Sequence, residues 1–112
     1  MEPITWNEFE KIELRVGTII GVQSFPEANQ PAYKLTVDFG LEVGIKKSSA
    51  RITNLYSQED LLNKRIIGVV NFSPKQIGPF ISEFLCSGFY REDGSVVLAV
   101  PDKEVPNGAK LG

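Results

Sequence analysis

The sequence predicts an all-β domain, a small closed barrel with little helix. Three observations carry this expectation. Several segments either alternate apolar and polar residues with period two or run as short apolar stretches, the two strand signatures. Gly17 and Gly21 interrupt a long strand, as the bends and bulges of small barrels require. At 112 residues the chain is one domain, residues 1–112, with no repeat, linker or low-complexity tract. Roughly two-thirds of the unfolded surface is buried at this size, enough for one modest core. Closure removes the exposed strand edges that a sheet so small would otherwise present.

The elements follow in order. Thr5-Trp6-Asn7-Glu8 fits a capping box, in which Thr5 accepts from the third residue's amide and Glu8 reaches back. It opens a short helix near residues 6–11, with Trp6 and Phe9 on one side. Leu14 to Phe25, rich in β-branched residues, reads as a long strand, and Pro26 to Pro31 as a loop. Tyr33 to Phe39 alternates: Tyr33, Leu35, Val37 and Phe39 on one face, Lys34, Thr36 and Asp38 on the other. Gly40 marks a turn, and Leu41 to Ser48 reads as the returning strand. Ser57-Gln58-Glu59-Asp60 is a second capping box, opening a short helix through Leu62. Arg65 to Phe72 is a buried strand that Ser73-Pro74 ends. Phe80 to Phe89 reads as another strand, Glu92-Asp93-Gly94 as a turn, Val96 to Val100 as a strand, and Pro101 to Gly112 as a turn-rich tail. The order fits a five-stranded OB-type barrel with short helices and terminal extensions. An immunoglobulin-like sandwich fits worse, since it wants about seven strands and no helix between the third and fourth.

Composition excludes several chemistries. The chain has no histidine, hence no Ser-His-Asp triad, Cys-His pair, HExxH zinc site or histidine pH switch. Its single cysteine, Cys86, permits neither an internal disulfide nor a CxxC metal or redox motif, and its apolar neighbours suggest a buried, inert thiol. Gly17 and Gly21 carry no phosphate-loop pattern, and Asp38, Glu42 and Glu83 read as solvated or ion-paired. No catalytic residue, metal or cofactor is expected. With 12 Lys plus Arg against 14 Asp plus Glu, the net charge of −2 leaves phosphate binding to local clusters. There is no apolar run of about 18 residues. Met1 to Trp6 lacks a secretory pattern, so a reducing cytoplasm is the expected location.

Three stretches are candidate binding surfaces. Lys46-Lys47-Ser48-Ser49-Ala50-Arg51 gathers three cations and two hydroxyls, a set suited to phosphate. Composition alone favours the plainer reading, a solvated strand edge. In Asn71-Phe72-Ser73-Pro74-Lys75-Gln76-Ile77, a side-chain amide stands beside an aromatic ring that can stack on a base or receive an apolar side chain. The plainer reading makes Asn71 a turn residue and the phenylalanines core. Phe80-Ile81-Ser82-Glu83-Phe84-Leu85 mixes apolar and polar residues on both faces, as a groove lining or a bent barrel corner would.

Taken together, the stretches resemble a family. Phe9-Glu10-Lys11-Ile12-Glu13-Leu14-Arg15-Val16-Gly17-Thr18-Ile19 is similar to the opening signature of the tRNA-binding OB-fold domain. That domain is appended to methionyl-tRNA synthetases and also occurs as small free-standing dimers. Pro26-Glu27-Ala28, Tyr33-Lys34-Leu35, Val37-Asp38-Phe39-Gly40, Asn71-Phe72 with Pro74, Ser82 and Pro106-Asn107-Gly108 continue the resemblance along essentially the whole chain. Within the family, Gly44 to Ala50, Val69 to Phe72 and Phe80 to Glu83 look most like a branch of small export-related chaperones.

The resemblance implies a homodimer built with the terminal segments, Ile4 to Phe9 and Val100 to Leu111, and a cytoplasmic role. It also implies partners: unfolded or precursor polypeptides and the export machinery, with tRNA the alternative. For polypeptides the implied contacts are apolar from Phe72, Ile77, Phe80, Ile81 and Phe84, and hydrogen bonds to peptide backbone from Asn71, Ser82 and Glu83. For RNA they are Lys46, Lys47, Arg51 and Lys75 on phosphates with Ser48 and Ser49, and Asn71 and Ser82 on bases or sugars. Two departures favour the polypeptide. Ile81 stands where the family usually has lysine, and Lys75-Gln76-Ile77-Gly78-Pro79 where it usually has Arg-Arg-Ile-Ala-Gly. Two cations are therefore missing from the tRNA-binding face, and phosphate contacts dominate nucleic-acid affinity. A third expectation, from another class, is a scaffold that merely dimerises other partners.

Overall fold

In the computed structural model, which describes residues 1–112, the longest strand organises the rest. This is β1 (Leu14–Ser24). On one side it pairs with β2 (Tyr33–Asp38), and β2 in turn with β3 (Ile45–Ala50). On its other side lies β4 (Arg65–Val69), which pairs with the short β7 (Leu85–Cys86). All four pairings are antiparallel, in the order β3-β2-β1-β4-β7, and give the five-stranded, nearly closed barrel of the OB type. Two hairpins are added to it, β5 (Lys75–Ile77) with β6 (Phe80–Ser82) and β8 (Gly88–Tyr90) with β9 (Val96–Leu98).

The core follows from the alternation in β2. Leu35 and Val37, with Phe39 just beyond the strand, are fully buried and pack with Ile19, Leu61 and Ile66. The pairing of β1 with β2 slips between Ile19 and Gly21, the expected bulge beside a glycine. Both capping boxes form. The Thr5 hydroxyl accepts from Glu8 N–H at the start of α1 (Trp6–Glu10), and the Ser57 hydroxyl from Asp60 N–H at the start of a one-turn helix, Gln58–Leu61.

Three expectations need correction. The stretch after Gly40 is first a helical turn, Gly40–Val43, so the returning strand starts only at Ile45. The strand from Arg65 stops at Val69, where Val70 N–H donates to Glu13 C=O, leaving Asn71 and Phe72 beyond it. Phe80 to Phe89 is three short pieces. Its first piece folds back on β5 around Gly78, whose φ of 58° suits glycine, and only the second joins the barrel.

The C-terminal tail lies along β1. Gly108 N–H donates to Val16 C=O, Val16 N–H to Ala109 C=O, and Leu111 N–H to Leu14 C=O. Arg15 links the tail to Glu13, bonding Gly108 C=O at 3.0 Å and the Glu13 carboxylate at 2.8 Å, while Lys110 reaches Glu13 and Glu10. These hydrogen bonds, from Arg15 first and Lys110 second, hold the Glu13 carboxyl below its usual range. No helix is long and apolar enough to cross a membrane.

The barrel closes between β3 and the segment joining β6 to β7, and it closes at one residue. Glu83 N–H donates to Lys47 C=O at 2.7 Å, and the Glu83 carboxylate accepts Lys47 N–H at 2.9 Å. The carboxylate thus stands in for a strand carbonyl. Glu83→Ala removes this acceptor and is expected to cost about 1 kcal/mol, whereas Glu83→Gln keeps an acceptor oxygen and most of the stability. Urea denaturation of the two variants checks this; equal losses would show that the Lys47 bond is not the source.

Candidate functional site

Past the Glu83 closure the seam opens into a groove of about 1060 Å³. Ser48 to Ile52 form one wall and Phe84 to Gly88 the other, with the 28–30 loop and the 72–78 segment at the ends. No backbone hydrogen bond spans the seam other than Glu83 to Lys47. The floor is fixed by hydroxyls: Ser48 Oγ donates to Phe84 C=O at 2.6 Å and lies 3.1 Å from Ser82 Oγ.

The lining combines exposed apolar groups with an uncompensated positive charge. Phe72, Leu85 and Tyr90 are 58%, 51% and 84% exposed. Arg51 and Lys75 line the groove, and no Asp or Glu does. Neither cation forms an ion pair; Arg51 Nη1 is held only by Gln30 Oε1 at 2.9 Å. The local sign is thus opposite to the chain's net charge of −2.

The residues singled out from sequence divide. Phe72, Ile77, Ser82 and Phe84, and Ser48, Ser49, Arg51 and Lys75, come together around this groove. Two of these offer almost no surface. Ser48 is buried in the floor, and Phe84, 4% exposed, belongs to the core, where it stacks edge-on against Phe39. Lys46, Lys47, Asn71, Phe80, Ile81 and Glu83 do not line the groove.

Asn71 has a different task. Its Oδ1 accepts Glu13 N–H at 3.1 Å and its Nδ2 donates to Lys11 C=O at 2.7 Å, clipping the end of β4 to the link between α1 and β1. With both ends of the amide engaged, Asn71 leaves the candidate surface. Phe80 packs edge-on against Phe25 at 5.4 Å with the Lys34 ammonium near both rings, anchoring the β5–β6 hairpin. Glu83 is spent on the closure.

Sequence reasoning missed Tyr90 and Gln30, and it placed Leu85 in a candidate stretch without naming it as a contact. An aromatic residue directly before the charged turn Arg91-Glu92-Asp93-Gly94 was the available signal for Tyr90. Cys86 also lines the groove, but burial pushes its thiol up to about 12, so it stays protonated and unreactive near neutrality.

A nearly closed antiparallel barrel with an open, hydroxyl- and aromatic-lined seam defines a small OB-type domain. The chain belongs to the family described as "Putative tRNA binding domain", which it matches over residues 14–110. Among solved structures it is similar to the chaperone CsaA of Bacillus anthracis, at 44% identity and a TM-score of 0.93, covering 99% of this chain and 100% of that one. It is also similar to the CsaA chaperone protein of Picrophilus torridus, at 52% identity and a TM-score of 0.91, covering 98% and 100%. The methionine–tRNA ligase of Pyrococcus horikoshii is 39% identical over 112 residues, 99% of this chain but 15% of the ligase. The chain thus corresponds in extent to the CsaA proteins and to about a seventh of the ligase.

Proposed function

We propose that this chain is a molecular chaperone of the CsaA type, binding unfolded or precursor polypeptides in the seam groove and serving protein export from the cytoplasm. The observation that carries the reading is the exposed apolar set Phe72, Leu85 and Tyr90 along one open groove, since clustered exposed apolar side chains mark interaction surfaces. Similarity to CsaA chaperones over their whole length agrees with it. The proposed working unit is a homodimer. Trp6, 65% exposed and stacked on Phe9, lies in one terminal segment, and exposed Val100 and Leu111 lie in the other. Two grooves on one particle raise avidity for a long client.

Dilution of a guanidinium-denatured enzyme, followed by light scattering, tests the reading. Wild type is expected to suppress aggregation. A Phe72→Ser/Tyr90→Ser double variant is expected to bind client about tenfold more weakly, which corresponds to about 1.4 kcal/mol of lost aromatic contact. No suppression by wild type would overturn the reading, as would full activity in the folded double variant.

A second reading, structure-specific tRNA or RNA binding, is favoured by one observation: the unpaired Arg51 and Lys75 line a groove without carboxylates, with Lys46 and Lys47 earlier on β3, the strand that forms one wall. It predicts affinity for tRNA that falls steeply with salt.

A further inference from the structure

We infer that the groove takes an extended, acidic polypeptide segment by strand addition to the open edge of β3 at Ser49. The inference rests on the chaperone reading and states how the client is held.

The edge comes from the ladder. In an antiparallel pair, successive residues turn their N–H and C=O alternately toward the partner strand and away from it. Lys47 turns both groups away from β2, since they meet Glu83. Two residues on, Ser49 turns its N–H and C=O to the same outer side, and Ser49 lines the groove. No loop, turn or neighbouring strand gives either group a backbone partner. The Ser48 hydroxyl lies 3.3 Å from Ser49 C=O, but its single proton is given to Phe84 C=O at 2.6 Å. One strand edge is thus left with a free donor and a free acceptor, beside a seam whose two walls share no backbone–backbone hydrogen bond past Glu83. An extended peptide is the ligand whose own alternating N–H and C=O groups match that edge. A nucleic-acid backbone presents acceptors but no comparable row of donors.

The charge comes from the walls. Arg51 follows Ser49 by two residues and Lys75 lines the same groove, both unpaired and with no carboxylate among the lining residues. A peptide with acidic side chains supplies the missing partners, while a basic one meets two like charges. Glu83 sets the limit of the site: its carboxylate occupies the edge at Lys47, so an added strand begins beyond it.

The test uses a fluorescein-labelled nine-residue peptide of alternating valine and glutamate, and two analogues N-methylated at every second residue, one in each register. Wild-type protein is expected to bind the parent and to lose at least tenfold in affinity for one methylated register, because methylation removes the donors on one strand edge. Replacing glutamate by lysine is expected to cost tenfold or more at low salt. Ser49→Pro, which removes the outward-facing N–H at an edge-strand position that proline tolerates, is expected to weaken the parent peptide similarly while Ser49→Ala, which removes only the hydroxyl, does not, and both variants remain folded by circular dichroism. The inference is overturned if neither methylated register binds more weakly than the parent, or if the lysine peptide binds as well. Continued capture of the guanidinium-denatured enzyme in that case leaves the chaperone reading standing. If peptides and denatured enzyme both go unbound while tRNA is retained, both readings fail together.

Discussion

Gly17→Ala is expected to destabilise the barrel by about 3 kcal/mol, the upper end of the ordinary cost of overpacking a core. A Cβ at this position would lie 2.5 Å from Val37 Cγ1 and 2.6 Å from Phe39 Cδ1. Both neighbours are fully buried and belong to β2 or its end, so neither can swing into solvent. Gly17 lies inside β1 and pairs with Ile66 of β4, so the backbone cannot retreat without disturbing a ladder. Against the 5–15 kcal/mol total of a typical domain, this loss corresponds to a melting temperature lower by roughly 12 °C or more. Thermal unfolding by circular dichroism measures it, and a shift under about 2 °C would show that the core has slack at this point. Combining the change with Val37→Ala should cost less than the sum of the two single changes, because the space left by one substitution accommodates part of the methyl added by the other.

Gly17 also shows which parts of the fold were legible. As a strand-interior glycine it signalled a bend or bulge, whereas the structure puts the bulge at Gly21 and gives Gly17 a close approach to Val37 and Phe39; the alternation of Tyr33 to Phe39 did identify the buried face of β2. Both signals are local. So are the capping boxes at Thr5 and Ser57, which connect residues three apart. What sequence did not disclose was carried by long-range partners. Asn71 was visible as an amide after an apolar strand, but its partners Lys11 and Glu13 lie about 60 residues away. Phe80 to Phe89 was readable as strand material, yet the choice between one strand and three pieces was made by pairing with β5, by the Glu83 closure and by Phe25 beneath Phe80. The absence of carboxylates from the groove belongs to no single segment. It arises when topology gathers the 28–30 loop, β3, the 72–78 segment and the 84–90 stretch, while the acidic residues lie elsewhere.

The two phenylalanines that flank the candidate site should separate in the laboratory as they do in the structure. Phe84→Ala is expected to cost about 4 kcal/mol, within the range for removing a buried aromatic side chain. Phe84 stacks on Phe39 with centroids 5.0 Å apart at 80°, an edge-to-face pair that adds to the burial term. Packing around it is close: a Cβ on Gly68 would lie 3.0 Å from both Phe39 Cζ and Phe84 Cδ2. The groups that build the seam survive the change, because it is the backbone C=O of Phe84 that accepts the Ser48 hydroxyl and Glu83 that makes the closure. Phe84→Ala is therefore expected to lose client binding only as it unfolds; below its melting transition, affinity per folded molecule should stay within about twofold of wild type, less than 0.5 kcal/mol. Phe72 is the opposite case. It is exposed, lies beyond the end of β4, and its truncation should leave stability within about 0.5 kcal/mol while weakening client capture. Urea denaturation and peptide titration on both variants make the comparison. A Phe84→Ala protein as stable as wild type, or a Phe72→Ala protein that binds client undiminished, would reverse the division between floor and contact surface on which the groove assignment stands.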